Sequence, residues 1–355
     1  MFKFIQRLRE AGVIGINARN RDYVMPANPR ALYSLVDDKV RSKLLAERDK
    51  IAVPKLYGVV NSPHDARNVE NIISGLAGFV IKPAHGSGGK GILVIDGQRG
   101  AKFFKSDGTP LTSRDLSHHI QNILGGVYSL GGQPDVALIE YRVTAAKVFD
   151  TISYRGVPDV RVLVYKGVPT LAMLRLPTKS SGGRANLHQG AVGVGINMLS
   201  GICTSAVCEN RKVQEHPDYG CQLAGFAIPH WHDILALSAR CQQLAPLGYL
   251  GVDLVIDEEL GPMMLELNAR PGLAIQIANG RGLKPLLDKI DNGIVAASSV
   301  EEKLALAYRL ARQDDQTTGA SQRNAVQPDT AKAWRSDNRP SDNAPQAHRA
   351  PNLRA

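Results

Sequence analysis

Apolar and polar positions alternate with a period of two through several stretches of the chain, and residues 251–273, GVDLVIDEELGPMMLELNARPGL, are the most informative. The alternation predicts two strands joined by a polar turn, Asp257-Glu258-Glu259-Leu260-Gly261. Closing this hairpin about Glu259 and Leu260 sets Asp253 opposite Glu266, with Asn268 on the same face as Glu266. Facing carboxylates repel, so the pairing requires a compensating cation. Oxygen ligands from Asp, Glu and Asn suit a hard ion such as Mg²⁺ rather than Zn²⁺. A solvated acidic hairpin is the competing reading of these residues alone.

Upstream, Val40, Leu44, Leu45 and Arg48 recur at helical spacing, which predicts a helix that starts near Asp37 and ends before Val53-Pro54. Lys39 and Lys43 would share one face of it, by default toward solvent. An extended piece over 55–61 and a helix-like segment over 63–76 follow. Residues 79–95, FVIKPAHGSGGKGILVI, read as strand, glycine loop, strand. The loop Gly86-Ser87-Gly88-Gly89-Lys90-Gly91 can bring backbone N–H groups close to a phosphate chain, and Lys82 stands just before it. A Rossmann loop would be followed by a helix, but 92–95 is β-branched and strand-like. Lys90 precedes Gly91, not the Ser or Thr of a Walker A loop, and no H-R-D or D-F-G triplet occurs.

Further on, a connector over 96–133 carries a helix at 113–124, and the strand 136–141 ends in the charge of Glu140. Asp159 and Arg161 share a face of the next strand by alternation, and Arg175 lies on the strand after it. The polar segment 177–195, which contains Asn186, is long enough to serve as a mobile flap. Residues 200–231 carry no readable pattern. His230 and His232 have metal-ligand spacing, but a capping or exposed role is the stronger reading. Helices are expected over 233–247, 275–287 and 300–310.

With 355 residues, 43% hydrophobic and 21% charged, the chain has the composition of a soluble protein of one large or two ordinary domains. No run approaches the ~20 apolar residues of a membrane span. The N-terminal MFKFIQRLREAG is basic and amphipathic without the pattern of a signal peptide, and the four cysteines lack C-x-x-C spacing. Together these predict a cytoplasmic protein with reduced thiols. The net charge of +10 is scattered and aromatics are only 5%, which favours an anion-handling cleft over a nucleic-acid surface. Beyond Arg312 there is little to bury, and a near-neutral disordered tail is expected.

A glycine loop, lysines, strand arginines and an Asp…Glu-x-Asn cluster answer the separate needs of ATP chemistry: backbone N–H groups and lysines for the phosphates, Mg²⁺ to bridge them, arginine for the phosphoryl group in flight. The chain resembles the ATP-grasp superfamily, and most closely the α-L-glutamate ligase-like branch related to the ribosomal protein S6 modification enzyme. The resemblance lies in VIKPAHGSGGKG (80–91), LIEY (138–141), DVRVLV (159–164), ANLHQGA (185–191), GVDLVID (251–257) and LELNARPGL (265–273). It implies an α+β ATP-grasp fold, two subdomains with antiparallel sheets that clamp ATP. Expected boundaries are an arm or helix at 1–36 in place of a full pre-ATP domain, an N-terminal lobe at 37–140, a C-terminal lobe at 141–311 and the tail at 312–355.

The resemblance further implies that Lys43 and Lys82 hold the phosphates under the glycine loop, with Glu140 by the adenine and ribose and Asp159 and Asn186 lining the nucleotide site. Asp253, Glu266 and Asn268 would ligate one or two Mg²⁺, with Mn²⁺ as a substitute. Arg161 and Arg175 would face the transferred phosphoryl group. Arg270, in Asn268-Ala269-Arg270-Pro271-Gly272 where the S6-modifying relatives read Asn-Ser-Ser-Pro-Gly, would meet a phosphate or a substrate carboxylate. The implied activity is amide or peptide bond formation between a small-molecule or peptide carboxylate and an amine, through an acyl phosphate. The rivals are a kinase-like or regulatory nucleotide binder that makes no amide, and a basic nucleic-acid-binding protein.

Overall fold

The computed structural model describes residues 2–86, 88–293 and 299–322; Ser87 and 323–355, most of the expected tail, lie outside the described residues. The residues described up to Arg312 form one compact unit.

An exposed helix, α1 (Phe2–Glu10), precedes a run of short helical turns and then α2 (Lys39–Arg48). Asp38 caps α2, accepting from the backbone N–H groups of Val40 and Arg41 at 2.9 and 3.1 Å. Strands β1 (Leu56–Val60), β2 (Phe79–Pro83) and β3 (Leu93–Ile95) follow, and then a small three-stranded sheet, β4 (Gly97–Arg99), β5 (Lys102–Phe104) and β6 (Pro110–Leu111). Helix α3 (Ser113–Leu124) and β7 (Ala137–Tyr141) complete this part. The order β1-β7-β2-β3 is antiparallel throughout. One side of it closes on Ile73, Leu116, Ile120 and Ile123. The segment 63–76 is not one helix but two short ones, Pro63–Arg67 and Glu70–Ile73.

The second sheet is larger. Strands β8 (Asp159–Tyr165), β9 (Val168–Leu176), β10 (Val192–Ile196), β11 (Cys203–Cys208), β12 (Arg211–Val213), β13 (Tyr249–Asp257) and β14 (Gly261–Asn268) pair in the antiparallel order β12-β11-β10-β9-β8-β13-β14. Helix α4 (Trp231–Leu244) covers one face, on Val160, Val162, Ala172, Leu174, Val252 and Leu254. The short helix α5 (Ala274–Ala278), α6 (Lys284–Gly293) and the part of α7 (Val300–Gln322) up to Arg312 close the unit; the helix expected over 275–287 is broken between α5 and α6. α7 runs past Arg312, so the first residues of the stretch expected to be disordered are helical. Among the described residues no helix is long and apolar enough to cross a membrane.

The opposite face of the large sheet is divided. Leu163, Tyr165, Leu171, Met173 and Tyr249 form an apolar half, buried under Ile14, Tyr23 and Val24 of the N-terminal segment and under Ile275, Leu286 and Leu287. Asp159, Arg161, Arg175, Asp253, Glu266 and Asn268 occupy the other half by strand alternation and register. The N-terminal arm is therefore a cover on the sheet rather than a detached appendage.

Candidate active site

Asp253 pairs with Glu266, as the alternation predicts, but by a different route. The turn closes one residue tighter, with Asp257 opposite Gly261, and a β-bulge at Leu265 restores the Asp253–Glu266 register. The side-chain Nδ2 of Asn268 donates to both carboxylates, at 3.2 Å to Asp253 and 3.4 Å to Glu266.

The compensating cations here are arginines. Arg161 donates through Nε and Nη2 to the two oxygens of Asp253, each at 2.6 Å. Arg175 Nη2 lies 2.8 Å from Asp253 Oδ2, while Nε and Nη2 of the same guanidinium grip Asp159, the latter at 2.6 Å. Asp159, Arg175, Asp253 and Arg161 thus form a continuous ion chain, its carboxylates buried and its guanidinium groups partly exposed. Burial alone would raise the Asp253 carboxyl, but Arg161 and Arg175 outweigh it and hold the group well below the usual range. Burial pushes Asp159 up to about 7; Arg175 opposes the rise and Asp253 adds to it.

Expected as a metal ligand, Asp253 is only 1% exposed, and Oδ2 already accepts from Arg161, Arg175 and Asn268. It fits the role of an arginine acceptor better than that of a first ligand. Glu266 differs: its side chain is 34% exposed, and its nearest polar partners are Asn268 at 3.4 Å and Lys39 at 3.9 Å. The Glu266 carboxylate and the Asn268 side-chain oxygen fit a hard divalent cation. Among the described residues no group of three His, Cys, Asp or Glu side chains is arranged to hold a metal ion by itself. His230 sits 3.6 Å from Asp233, and His232 contacts the Tyr308 hydroxyl at 2.8 Å.

The two expected phosphate lysines are placed otherwise. Lys43 and Lys82 each lie 2.6 Å from a different oxygen of Glu140, with all three side chains buried. Both Glu140 oxygens are in ion-pair range of a lysine, yet Oε2 makes no hydrogen bond of good geometry and keeps acceptor capacity. Burial opposes ionisation of Glu140, but Lys82 and Lys43 overcome it and lower its pKa. The lysine at the glycine loop is Lys39, which period alone left on the solvent side. Its Nζ donates to Gly86 O at 2.7 Å and Ala84 O at 3.3 Å, and lies 3.9 Å from Glu266 Oε2, linking the loop to the large sheet. A lysine in the first turn of a helix opposes the macrodipole, and that mismatch beside the Asp38 cap is the signal in the sequence for a role elsewhere.

These placements separate two lysines by experiment. Lys39→Ala should weaken ATP binding about tenfold by removing one charge-assisted contact, and should lower the urea midpoint less than Lys43→Ala does, because only two part-buried carbonyls lose their donor. Lys43→Ala should lower stability by about 3 kcal/mol by stripping a buried carboxylate of one partner. Calorimetric titration with ATP and urea melts check both. Because the folded pKa of Glu140 is depressed, its stabilisation is present above the ordinary value of 4.5 and is lost as the pH falls toward the folded value. Glu140→Gln should therefore flatten the acid limb of a stability-against-pH curve.

Gly88, Gly89 and Gly91 hold φ of +64°, +75° and +75°, the left-handed region that leaves the loop's backbone open to a close approach. Lys90 is exposed. Over the loop lies the segment expected as a flap. Gln189 Nε2 donates to Gly88 O at 2.9 Å, and a Cβ at Gly88 or Gly89 would lie 3.4 Å from Asn186 Nδ2 or 3.1 Å from Arg184 Cδ. Thr178 ties the base of the segment by donating to Gly190 O at 2.8 Å. The flap is thus an anchored cover, with a 3₁₀ turn at Leu187–Gln189.

Arg270 stands outside the ion chain, its guanidinium stacked 5.2 Å from the Tyr33 ring centroid. The loop that carries it is held by residues the sequence did not nominate. Arg19 donates to Pro271 O at 2.7 Å, and Asn28 donates to Ala269 O at 2.9 Å and Tyr249 O at 2.7 Å. Arg19 opens a π-helical turn, Arg19–Val24, a distortion found often at functional sites.

A glycine-loop lobe on an antiparallel sheet, joined by Lys39 to a second antiparallel sheet with an arginine and acid face, defines an ATP-grasp protein of the α+β class. The match of a family model over residues 18–292 makes this chain a member of the sugar-transfer associated ATP-grasp family. It is 23% identical over 248 residues to the ribosomal protein bS6–L-glutamate ligase of Escherichia fergusonii, which covers 70% of this chain and 60% of that protein. The chain thus spans about 60% of the length of that curated relative. Among solved structures it is similar to the D-cycloserine synthetase DcsG, at 16% identity over 81% of this chain and 73% of that one with a TM-score of 0.40. It is also similar to the D-alanine–D-alanine ligase of Bacillus anthracis, at 11% identity over 80% and 70% with a TM-score of 0.41.

Proposed function

We propose that the chain is an ATP- and Mg²⁺-dependent carboxylate–amine ligase that forms an amide or peptide bond through an acyl phosphate. One observation carries the reading: Lys39, on the lobe of the glycine loop, reaches within 3.9 Å of Glu266 on a sheet face that also bears Arg161 and Arg175. Phosphates under the loop would lie between a lysine, a carboxylate free for a divalent cation and two guanidinium groups.

In this reading Glu266 and Asn268 would hold Mg²⁺, which would supply positive charge to neutralise the nucleotide phosphates. Asp253 and Asp159 orient Arg161 and Arg175, whose remaining N–H donors face the transferred phosphoryl group. A substrate carboxylate oxygen attacks the γ-phosphorus, and ADP leaves. The amine nitrogen then attacks the acyl carbon, the bond to phosphate breaks, and the nitrogen's proton goes to phosphate or solvent. Gln189, Asn186 and Arg184 shield the intermediate from water by capping the loop. The likeness to a glutamate ligase supports this reaction class, and the acceptor is a small molecule or a peptide.

Release of ADP should require a carboxylate and an amine together, measured across pairs of amino acids with a coupled assay. ADP release that needs neither would support a kinase-like or regulatory grasp protein instead.

A further inference from the structure

The N-terminal helix α1 takes no part in the reaction, and its apolar residues stand outside the core. Among the described side chains every one from Lys3 to Ala11 is exposed. Ile5 and Leu8 are 41% and 37% exposed, and neither belongs to the apolar clusters described for the chain. The arm is tied down just past the helix. There the Lys284 N–H donates to Gly12 O at 3.0 Å, and a Cβ on Gly12 would lie 2.5 Å from Pro285 Cδ. Beyond that point Ile14, Tyr23 and Val24 pack on the large sheet, but Ile16 and Met25 are left 63% and 67% exposed.

Helical spacing sorts the residues of α1. At about 100° per residue, Ile5 and Leu8 fall on one stripe, Lys3, Gln6 and Glu10 on the opposite face, and Arg7 and Arg9 on the two flanks. Phe2 and Phe4 stand in the same helix by sequence, so four of its nine residues are apolar. Three bases accompany one acid, and Glu10 already accepts from Gln6 Nε2 at 2.9 Å. A helix this short is marginal in water on propensity alone, so its apolar stripe calls for a cover. Arginines on the flanks can lay their stems along an apolar layer and keep their heads at its polar edge. A second copy fits poorly, because a chain of net charge +10 presents the same basic helix and the two repel. A bilayer with acidic headgroups supplies both halves of the match, hydrocarbon beneath a negative surface.

We propose that α1 docks the chain on the surface of an anionic lipid bilayer. The helix lies in the headgroup layer with Ile5 and Leu8 toward the acyl chains. Arg7 and Arg9 meet lipid phosphates on either side, and Lys3 adds a third positive charge. Nine residues rise only about 13 Å against a hydrocarbon core of about 30 Å, so the helix rests on the membrane and does not cross it. Docking through α1 leaves the cleft untouched and holds whatever reaction the cleft performs.

The test is co-sedimentation of the full chain with lipid vesicles. The parent should bind phosphatidylcholine vesicles that contain phosphatidylglycerol. Pure phosphatidylcholine should bind about a hundredfold more weakly, the loss expected when three bases meet no surface charge. The triple variant Lys3→Gln, Arg7→Gln, Arg9→Gln should show the same loss on the mixed vesicles. The double variant Ile5→Glu, Leu8→Glu should sediment with neither. Both variants should keep the urea midpoint of the parent, since the changed side chains are exposed. Failure of the parent to bind mixed vesicles, equal binding to both kinds, or binding that survives Ile5→Glu, Leu8→Glu would overturn the inference. So would a lipid-free dimer, seen by sedimentation equilibrium, that the double variant dissociates, because the stripe would then belong to a second copy.

Discussion

Glu266→Gln is expected to cut ATP turnover about a hundredfold or more, with almost no change in the urea midpoint. The side chain is one-third exposed and engaged only weakly, by Asn268 and Lys39, so little folding energy depends on it. Its proposed work is to face a divalent cation with a full negative charge. An amide of the same shape keeps the oxygen and loses the charge, which weakens the site where phosphoryl transfer needs it most. ADP release at saturating Mg²⁺ measures the first effect and denaturant melts the second. Turnover within a few-fold of the parent would remove Glu266 from the metal site.

Asp253→Ala is expected to act the other way round on stability, costing about 3–5 kcal/mol. The substitution leaves Arg161 and Arg175 facing each other without the carboxylate between them. Buried charge stripped of its partner is among the few mechanisms that produce losses of this size. Activity should fall as well, because the guanidinium groups lose the acceptor that aims them. Asp253→Asn keeps the volume and one acceptor oxygen, and should recover part of the stability. A urea midpoint for Asp253→Ala close to that of the parent would show that the ion chain contributes little to the folded state. The two acids pair across one ladder, yet one should prove chemical and the other architectural.

The pairing of Asp253 with Glu266 was legible because period-two alternation fixes which residues share a face, and the bulge at Leu265 happened to restore the register that a symmetric turn implies. The identity of the compensating cation was not legible. It depends on β8 lying between β9 and β13, and sheet order is a long-range property that no local pattern carries. The same limit explains the lysines. Helical spacing puts Lys39 and Lys43 on one side of α2, but which is buried depends on Glu140 arriving from a distant strand. The ATP-grasp fold itself was legible, since the glycine loop and the Asp…Glu-x-Asn strand pair are contiguous motifs. The arm before Asp37 was not, because its contacts through Arg19 and Asn28 are to the backbone of the loop after Asn268. Backbone acceptors leave no trace in side-chain periodicity. Nor could the loop 177–195 be seen as anchored, because the hydrogen bond from Thr178 to Gly190 O closes it from within.

Oxygen tracing tests carboxylate activation most directly. With a substrate carboxylate labelled with ¹⁸O, found by the pairwise ADP screen, the released inorganic phosphate should carry one atom of the label, because the carboxylate oxygen that attacks phosphorus leaves with it. Phosphate free of ¹⁸O, formed at the same rate as ADP, would mean that water or another nucleophile takes the phosphoryl group, and the ligase account would be wrong.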